Sequence, residues 1–226
     1  MKIKLCLFCF FLIVLINNDD AIAQNQGNIT YGDGTLVKET EVVIDGSPYF
    51  NNEWETGLVK LADGRTFKDM MLKYNVYKDV LYFQDGNGDT KIFSSPVSEF
   101  KITDVVDNIP HELDFKNGYK DIPGYNDQSF FEVLSEGTVQ LLKKDHRFVI
   151  ESTGIDLGTT SKKFNDKESY YLIISGKVSV IKKDKKTILA LLSNKQTELE
   201  SYIKEKHLDI KDDDDLAKLI NYYNSI

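Results

Sequence analysis

Cysteine is the first scarcity. The chain has two, Cys6 and Cys9, and both lie in an apolar run near the N-terminus. That run, Leu5 to Ile16, spans twelve residues. Lys2 and Lys4 precede it, the polar stretch Asn17 to Asp20 follows, and Ala21-Ile22-Ala23 then places small residues at the first and third positions before a cut. This is the layout of a secretory signal, so residues 1–23 are expected to be removed, leaving Gln24 as the new N-terminus. A spanning helix needs about 20 apolar residues; this run stops short of that, with Asp19 and Asp20 behind it. A lipid anchor needs a cysteine directly after a small-residue motif at the end of the run, and Cys6 and Cys9 are inside it, so the exported protein is expected not to be lipid-anchored. Cleavage removes both cysteines. The mature chain therefore enters an oxidising compartment, periplasmic or extracellular, with no possible disulfide, and its stability must come from its core.

Other absences narrow the chemistry. No later apolar run approaches membrane-spanning length, so no transmembrane segment is expected after signal removal. The three histidines, His111, His146 and His207, stand alone, without a second histidine or cysteine at zinc-ligand spacing. The mature chain has no thiol nucleophile and no Gly-x-Ser-x-Gly elbow. No glycine-rich phosphate loop joins a strand to a helix, and no cofactor is expected. The net charge is −8, unchanged by cleavage because Lys2 and Lys4 balance Asp19 and Asp20. An acidic chain without a concentrated basic stripe is a poor candidate for nucleic acid.

What is present is mainly the signature of strands. Trp54 to Leu61 is rich in β-formers, Ala62-Asp63-Gly64 supplies a turn, and Thr66 to Val76 places Phe67, Met70, Leu72, Tyr74 and Val76 mostly at alternate positions. Alternation of this kind predicts half-buried antiparallel strands. Val80 to Phe83 and Lys91 to Phe93 flank Asp85-Gly86-Asn87-Gly88-Asp89, residues that tolerate positive φ and mark a hairpin tip. Asp85, Asn87 and Asp89 also match the first half of a calcium loop. The sixth position is Thr90 in place of glycine and the twelfth is Pro96 in place of glutamate, so a turn is the preferred reading and the calcium site a weak candidate. Pro96 predicts a following short strand that begins at a sheet edge. Residues 103–128, punctuated by Pro110, Gly118, Pro123 and Gly124, read as an irregular crossover, and residues 151–169 as a polar mobile loop. Tyr74, Tyr77, Tyr82 and Phe83 are expected in the core, although exposed aromatics would suit a glycan.

Two later segments share a pattern. Ser129 to Asp145 and Ser169 to Asp184 each read serine, two aromatics, apolar residues, a glycine turn, an alternating run and Lys-Lys-Asp. Each predicts a hairpin, and the likeness is attributed to convergent hairpin composition. The period then changes. Asp184 is placed to cap a short helix carrying Ile188, Leu189, Leu191 and Leu192. Ser193-x-x-Gln196 is a capping-box pattern before Leu199, Tyr202 and Ile203. Asp212 to Asp215 open a last helix with Leu216, Leu219, Ile220 and Tyr223 on one face, acids that suit the helix dipole without a ligand.

The combination of Phe115-x-Asn117-Gly118, Leu141-Leu142-Lys143-Lys144, Tyr170-Tyr171-Leu172, Lys182-Lys183-Asp184-Lys185-Lys186, Glu200-x-Tyr202-Ile203-Lys204 and Asp215-Leu216-x-Lys218-Leu219-Ile220-Asn221-Tyr222-Tyr223-Asn224 resembles a family of uncharacterised secreted, β-rich proteins of gram-negative bacteria. The resemblance covers most of the mature chain and is most specific in its last 60 residues or so. It implies an envelope or secreted location and a β body with a helical tail, and it implies no activity.

The sequence thus predicts a mainly β protein, an antiparallel sandwich or incomplete barrel with two or three C-terminal α-helices. Residues 24–183 form the β body and residues 184–226 a helical tail packed on it, against the face of the Tyr170 to Ile181 hairpin. The functional expectation is a non-enzymatic exported envelope protein, a binding or interaction module whose partner is an envelope protein or a glycan. A periplasmic hydrolase assembled only in three dimensions, and a β cavity carrying an apolar ligand, are the alternatives. N-terminal sequencing of the exported protein should begin at Gln24, and thermal melts with and without dithiothreitol should coincide; retention of residues 1–16 would refute the processing.

Overall fold

Alternation of apolar and polar residues puts one face of most strands on a core, and the described residues form eleven strands. The computed structural model describes residues 34–37, 43–106, 108–153 and 160–226; the signal segment, with Cys6 and Cys9, lies outside the described residues. The strands are β1 (Gly34–Leu36), β2 (Glu55–Leu61), β3 (Thr66–Asn75), β4 (Val80–Gln84), β5 (Thr90–Phe93), β6 (Val97–Val106), β7 (Ile109–Lys116), β8 (Phe131–Ser135), β9 (Val139–Thr153), β10 (Thr160–Ile174) and β11 (Lys177–Ile181). They join in one antiparallel open sheet of order β1-β5-β4-β3-β2-β6-β7-β8-β9-β10-β11. The protein is therefore mainly β and antiparallel, as its alternation predicts. The layer opposing the C-terminal half of the sheet is not a second sheet. It is the helices on one face and residues 117–130 on the other.

Three helices follow: α1 (Lys185–Leu191), α2 (Gln196–Lys206) and α3 (Asp213–Ser225). Asp184 caps α1, accepting from the Thr187 backbone N–H at 2.8 Å. Asp212 caps α3, accepting from the Asp215 N–H at 3.0 Å. The capping box expected at Ser193 does not form. Ser193–Lys195 is a 3-10 turn, Lys195 is the cap residue with no side-chain bond, and the Gln196 amide instead donates to Glu200. The helices bury Ile188, Leu192, Leu199, Leu216, Leu219 and Ile220 against Val139, Leu141, Tyr170, Leu172 and Ile181. At its far end α3 is held by an amide: Asn224 accepts from the Val139 N–H at 2.9 Å and donates to the Val139 carbonyl at 2.8 Å. Gly137, at φ +147, makes room for it, because a Cβ there would lie 2.5 Å from the Asn224 amide nitrogen.

Two further cores lie along the sheet. Strands β2–β7 enclose Val59, Leu72, Tyr74, Phe83, Phe100 and Phe115, joined by Phe130. Phe100 and Phe115 stack with centroids 4.7 Å apart. On the sheet face opposite the helices, Ile122 and the partly buried Tyr119 and Tyr125 cover Phe131, Leu142 and Tyr171. Gly57 is required where β2 meets β6, since a Cβ would fall 2.2 Å from the Lys101 carbonyl oxygen.

Four expectations need correction. Within the segment read as an irregular crossover, β6 continues to Val106 and β7 fills Ile109–Lys116; only the part from about residue 117 is irregular. Pro110 is tolerated because β8 pairs with β7 only at Phe115 and Lys116, so the missing N–H interrupts no ladder on that side. The strand after Pro96 is neither short nor at an edge: β6 has ten residues and lies between β2 and β7. Pro96 precedes it, and its carbonyl accepts from the Ala62 N–H at 2.8 Å. Most of the polar stretch 151–169 is strand, since β9 runs to Thr153 and β10 begins at Thr160. It carries polar residues on both faces and so lacks the hydrophobic alternation by which strands are recognised. Finally, Tyr74, Tyr82 and Phe83 are buried but Tyr77 is 46% exposed, packing edge-on to Phe164.

If the tail is part of the fold, deleting residues 184–226 should leave an insoluble or unfolded body. The milder Leu219→Ala should cost about 2–5 kcal/mol in a denaturant melt of the intact mature protein. A truncated body as soluble and heat-stable as the parent would refute this.

Candidate functional site

Successive side chains on a strand point to opposite faces, so the neighbours Lys143 and Lys144 on β9 serve two different sites. Lys144 faces away from the helices and is 2% exposed. Its ammonium has three N–H groups and meets three acceptors: the Asp79 carboxylate at 2.9 Å, the Phe130 carbonyl at 2.7 Å and the Tyr74 hydroxyl oxygen at 3.2 Å. Tyr74 in turn donates to Asp79. Asp79 itself sits in the left-handed region, at φ +56. Burial lowers the Lys144 pKa, opposed by Asp79, and burial with Asp79 raises Tyr74 well above the usual phenol value. With every donor satisfied and the side chain enclosed, this arrangement ties β3, the β3–β4 turn, the chain entering β8 and β9 together.

Lys143 points to the helix side, into a cluster drawn from five parts of the chain. It pairs with Glu168 at 3.2 Å and with Asp213 at 3.1 Å, and Lys183 pairs with Asp213 at 2.6 Å. The Tyr170 hydroxyl donates to Glu168 at 2.8 Å and contacts Asp213 at 3.2 Å. Glu132 lies opposite Lys143 in register and Asp145 opposite Glu168. Burial would lower the Lys143 pKa, but Asp145, Glu132 and Asp213 hold it above its ordinary value. Burial works against ionised Asp213, yet the hydrogen bonds from Lys183 and Lys143 keep its pKa low. Burial pushes Asp145 up and Glu132 up to about 7. Four carboxylates thus converge, as a hydrolase would need, but the two most exposed are engaged by lysines or tyrosine. Among the described residues no group of three or more histidine, cysteine, aspartate or glutamate side chains is arranged to hold a metal ion.

Beyond these clusters β9 and β10 continue as a two-stranded ribbon, paired with each other from Lys144–Ser169 to Thr153–Thr160. One face is crossed by the chain at residues 45–49. Asp45 bridges Lys163 on the edge of β10, Arg147 donates to the carbonyls of Ser47 and Tyr49, and Phe164 lies under Gly46. This face also carries the ion pairs Arg147–Asp166, at 2.6 Å, and Lys162–Glu151, at 2.6 Å. The opposite face is open: His146, Ile150, Lys163, Asn165 and Lys167 are exposed and Phe148 is half-buried. The His146 and Phe148 rings lie 6.0 Å apart and 17° from parallel.

The residues singled out in the sequence fall elsewhere. Asp85, Asn87 and Asp89 form the β4–β5 turn, with Asp85 accepting from the backbone N–H groups of Asn87 and Asp89 at 2.9 and 3.0 Å. The Lys91 ammonium lies 2.6 Å from the other Asp85 oxygen, where the charge of a cation would go. His111 is in β7, His146 is on the ribbon, and His207 ends α2 in the left-handed conformation at φ +54. Two surface hollows, of about 200 and 440 Å³, mix charged and apolar lining: Lys68, Asp69, Lys101 and Glu112 with Leu58 and Ile102 in the first, and Lys185, Lys186 and Glu200 with Leu189 and Ala190 in the second. Among the described residues, no helix is long and apolar enough to cross a membrane. Sequence reasoning missed the Lys143 and Lys144 clusters. The available signal was Lys143-Lys144-Asp145 continuing a strand whose preceding residues, Leu141 and Leu142, are apolar on both faces. No protein-family model, no curated protein and no solved structure matches the chain.

The Glu132 pKa has a definite consequence. A carboxyl whose folded value, about 7, exceeds its ordinary 4.5 imposes no cost below pH 4.5, a growing cost from there to 7, and a constant cost above, at most about 3 kcal/mol. Asp213 acts in the opposite sense, but only as pH falls below its ordinary 3.8. Glu132→Gln should therefore raise the melting temperature at pH 8 and leave it nearly unchanged at pH 4. A pH-independent effect would show that Glu132 is not desolvated.

Proposed function

We propose that the mature protein is an exported, non-enzymatic interaction module of the bacterial envelope that uses the β9–β10 ribbon as its contact element, in keeping with the family it resembles. The observation that carries this reading is the ribbon's open face. It presents Phe148 and Ile150 beside Lys163, Asn165 and Lys167, while the opposite face is occupied by residues 45–49. The lysines near the ribbon's base are each engaged by acceptors of the protein. Lys144 has its full complement of acceptors, and Lys143 and Lys183 are paired with Glu168 and Asp213 in a chain of ion pairs. Such groups fix the base of the ribbon against the body and leave its distal face to meet a partner.

Purified residues 24–226 should co-sediment with envelopes isolated from the producing cell. The double variant Phe148→Ser, Ile150→Ser should lose most of that retention at an unchanged melting temperature. Equal retention of the variant would overturn the reading. So would turnover of simple ester or glycoside substrates that Glu132→Gln abolishes, which would establish the hydrolase alternative instead.

A further inference from the structure

The ribbon segregates its charges by face. Its four acids, Asp145, Glu151, Asp166 and Glu168, all lie on the face shared with the helices and residues 45–49, as their cross-strand partners require: Glu151 with Lys162, Asp166 with Arg147, Glu168 with Lys143. On the open face, from Lys144–Ser169 to Ser152–Ser161, β9 and β10 themselves contribute no acid in a protein whose net charge is −8. Among the described residues two carboxylates adjoin it: Asp79 at its base, taken by Lys144 and Tyr74, and Asp45, in parallel register beside Lys163 on the β10 edge. Three successive same-face rungs are His146–Lys167, Phe148–Asn165 and Ile150–Lys163. On the β9 side they form an apolar column headed by the parallel His146 and Phe148 rings. On the β10 side they form a column of amine, amide and amine.

From this arrangement, and resting on the interaction reading above, we propose that the open face of the ribbon binds an acidic polysaccharide. The C–H face of a sugar ring packs on Phe148 and Ile150, much as apolar surface packs on an aromatic ring. Asn165 both donates to and accepts from hydroxyls. Lys163 and Lys167, about 13 Å apart along β10, meet carboxylate or other anionic substituents on neighbouring sugars. The size of the strip separates this partner from an acidic protein. Three rungs cover roughly 15 by 10 Å, on the order of 150 Å², whereas a stable protein interface takes about 800 Å² from each partner. A strip this narrow suits an extended chain a few sugar units long, and its lysines supply attraction that salt screens within about 8–10 Å.

The test compares polymers that differ in one property at a time: neutral dextran, carboxymethyl-dextran and polyglutamate, each titrated against intact residues 24–226. Carboxymethyl-dextran should bind and dextran should not. Binding should weaken about tenfold, or 1.4 kcal/mol, in Lys163→Gln with Lys167→Gln, weaken again in Phe148→Ser, and fall as salt rises. The Lys162→Gln control, on the opposite face, should bind as the parent does. Dextran binding as tightly as carboxymethyl-dextran would overturn the anionic requirement. Polyglutamate binding as tightly would overturn the sugar in favour of an acidic polypeptide. If no polymer binds while envelope retention still depends on Phe148 and Ile150, the polysaccharide proposal fails and the interaction reading stands. If retention is indifferent to those two residues, the interaction reading fails as well.

Discussion

One enclosed ammonium joins the two halves of this protein. The sheet is continuous, but its weakest seam is between β7 and β8, which share two register pairs against fifteen between β9 and β10. Lys144 reaches across that seam. It contacts Asp79 and Tyr74 from the N-terminal meander and the carbonyl of Phe130 from the chain entering β8. A buried charge is tolerable only when it is paired and its hydrogen bonds are all made, so the position of Lys144 dictates where the other three groups must be. The left-handed Asp79 and the edge-on packing of Phe130 against Tyr74 are local costs and contacts that follow from that requirement.

The other lysine of the pair sets a second relation. Because β9 alternates, Lys143 cannot share the site of Lys144, and it anchors the start of α3 through Asp213 while Asn224 fixes the other end of the same helix to Val139. The helix layer is thus held by charge at one end, by an amide matched to a peptide unit at the other, and by apolar burial between. The cluster at the charged end contains more carboxylates than cations, and burial, helped by the neighbouring carboxylates, raises the pKa values of Glu132 and Asp145. The ribbon starts where these constraints stop. Beyond residue 145 the described residues that support the strands, residues 45–49 and Tyr77, lie on one face, which leaves the other face free of the structural duties that fix its base.

Much of this was legible in the residues. The hairpins β8–β9 and β10–β11 follow from a glycine turn between alternating runs, and Ser175 and Gly176 at φ +50 and +78 are the positive-φ pair that a tight hairpin needs. The caps at Asp184 and Asp212 and the apolar stripes of the tail are local signals, set within one or two helical turns. The ribbon was not legible, because strands exposed on both faces carry no hydrophobic period and read as loop. Nor were the clusters: Lys144 is 65 residues from Asp79 and Lys143 is 70 from Asp213, and only the pairing of strands brings them together.

What the sequence by itself determined is therefore what depends on near neighbours: the β character, the hairpin turns, the starts of α1 and α3, and the expectation of export without disulfides. The tertiary structure alone decided the strand order, the side of the sheet on which the helices lie, and which of two adjacent lysines is walled in and which joins a charged cluster. The physical reason is that alternation on a strand tells only that two neighbours face opposite ways. What each then meets depends on elements many residues distant, and the free energy of a buried charge is fixed by those partners and not by the residue that carries it.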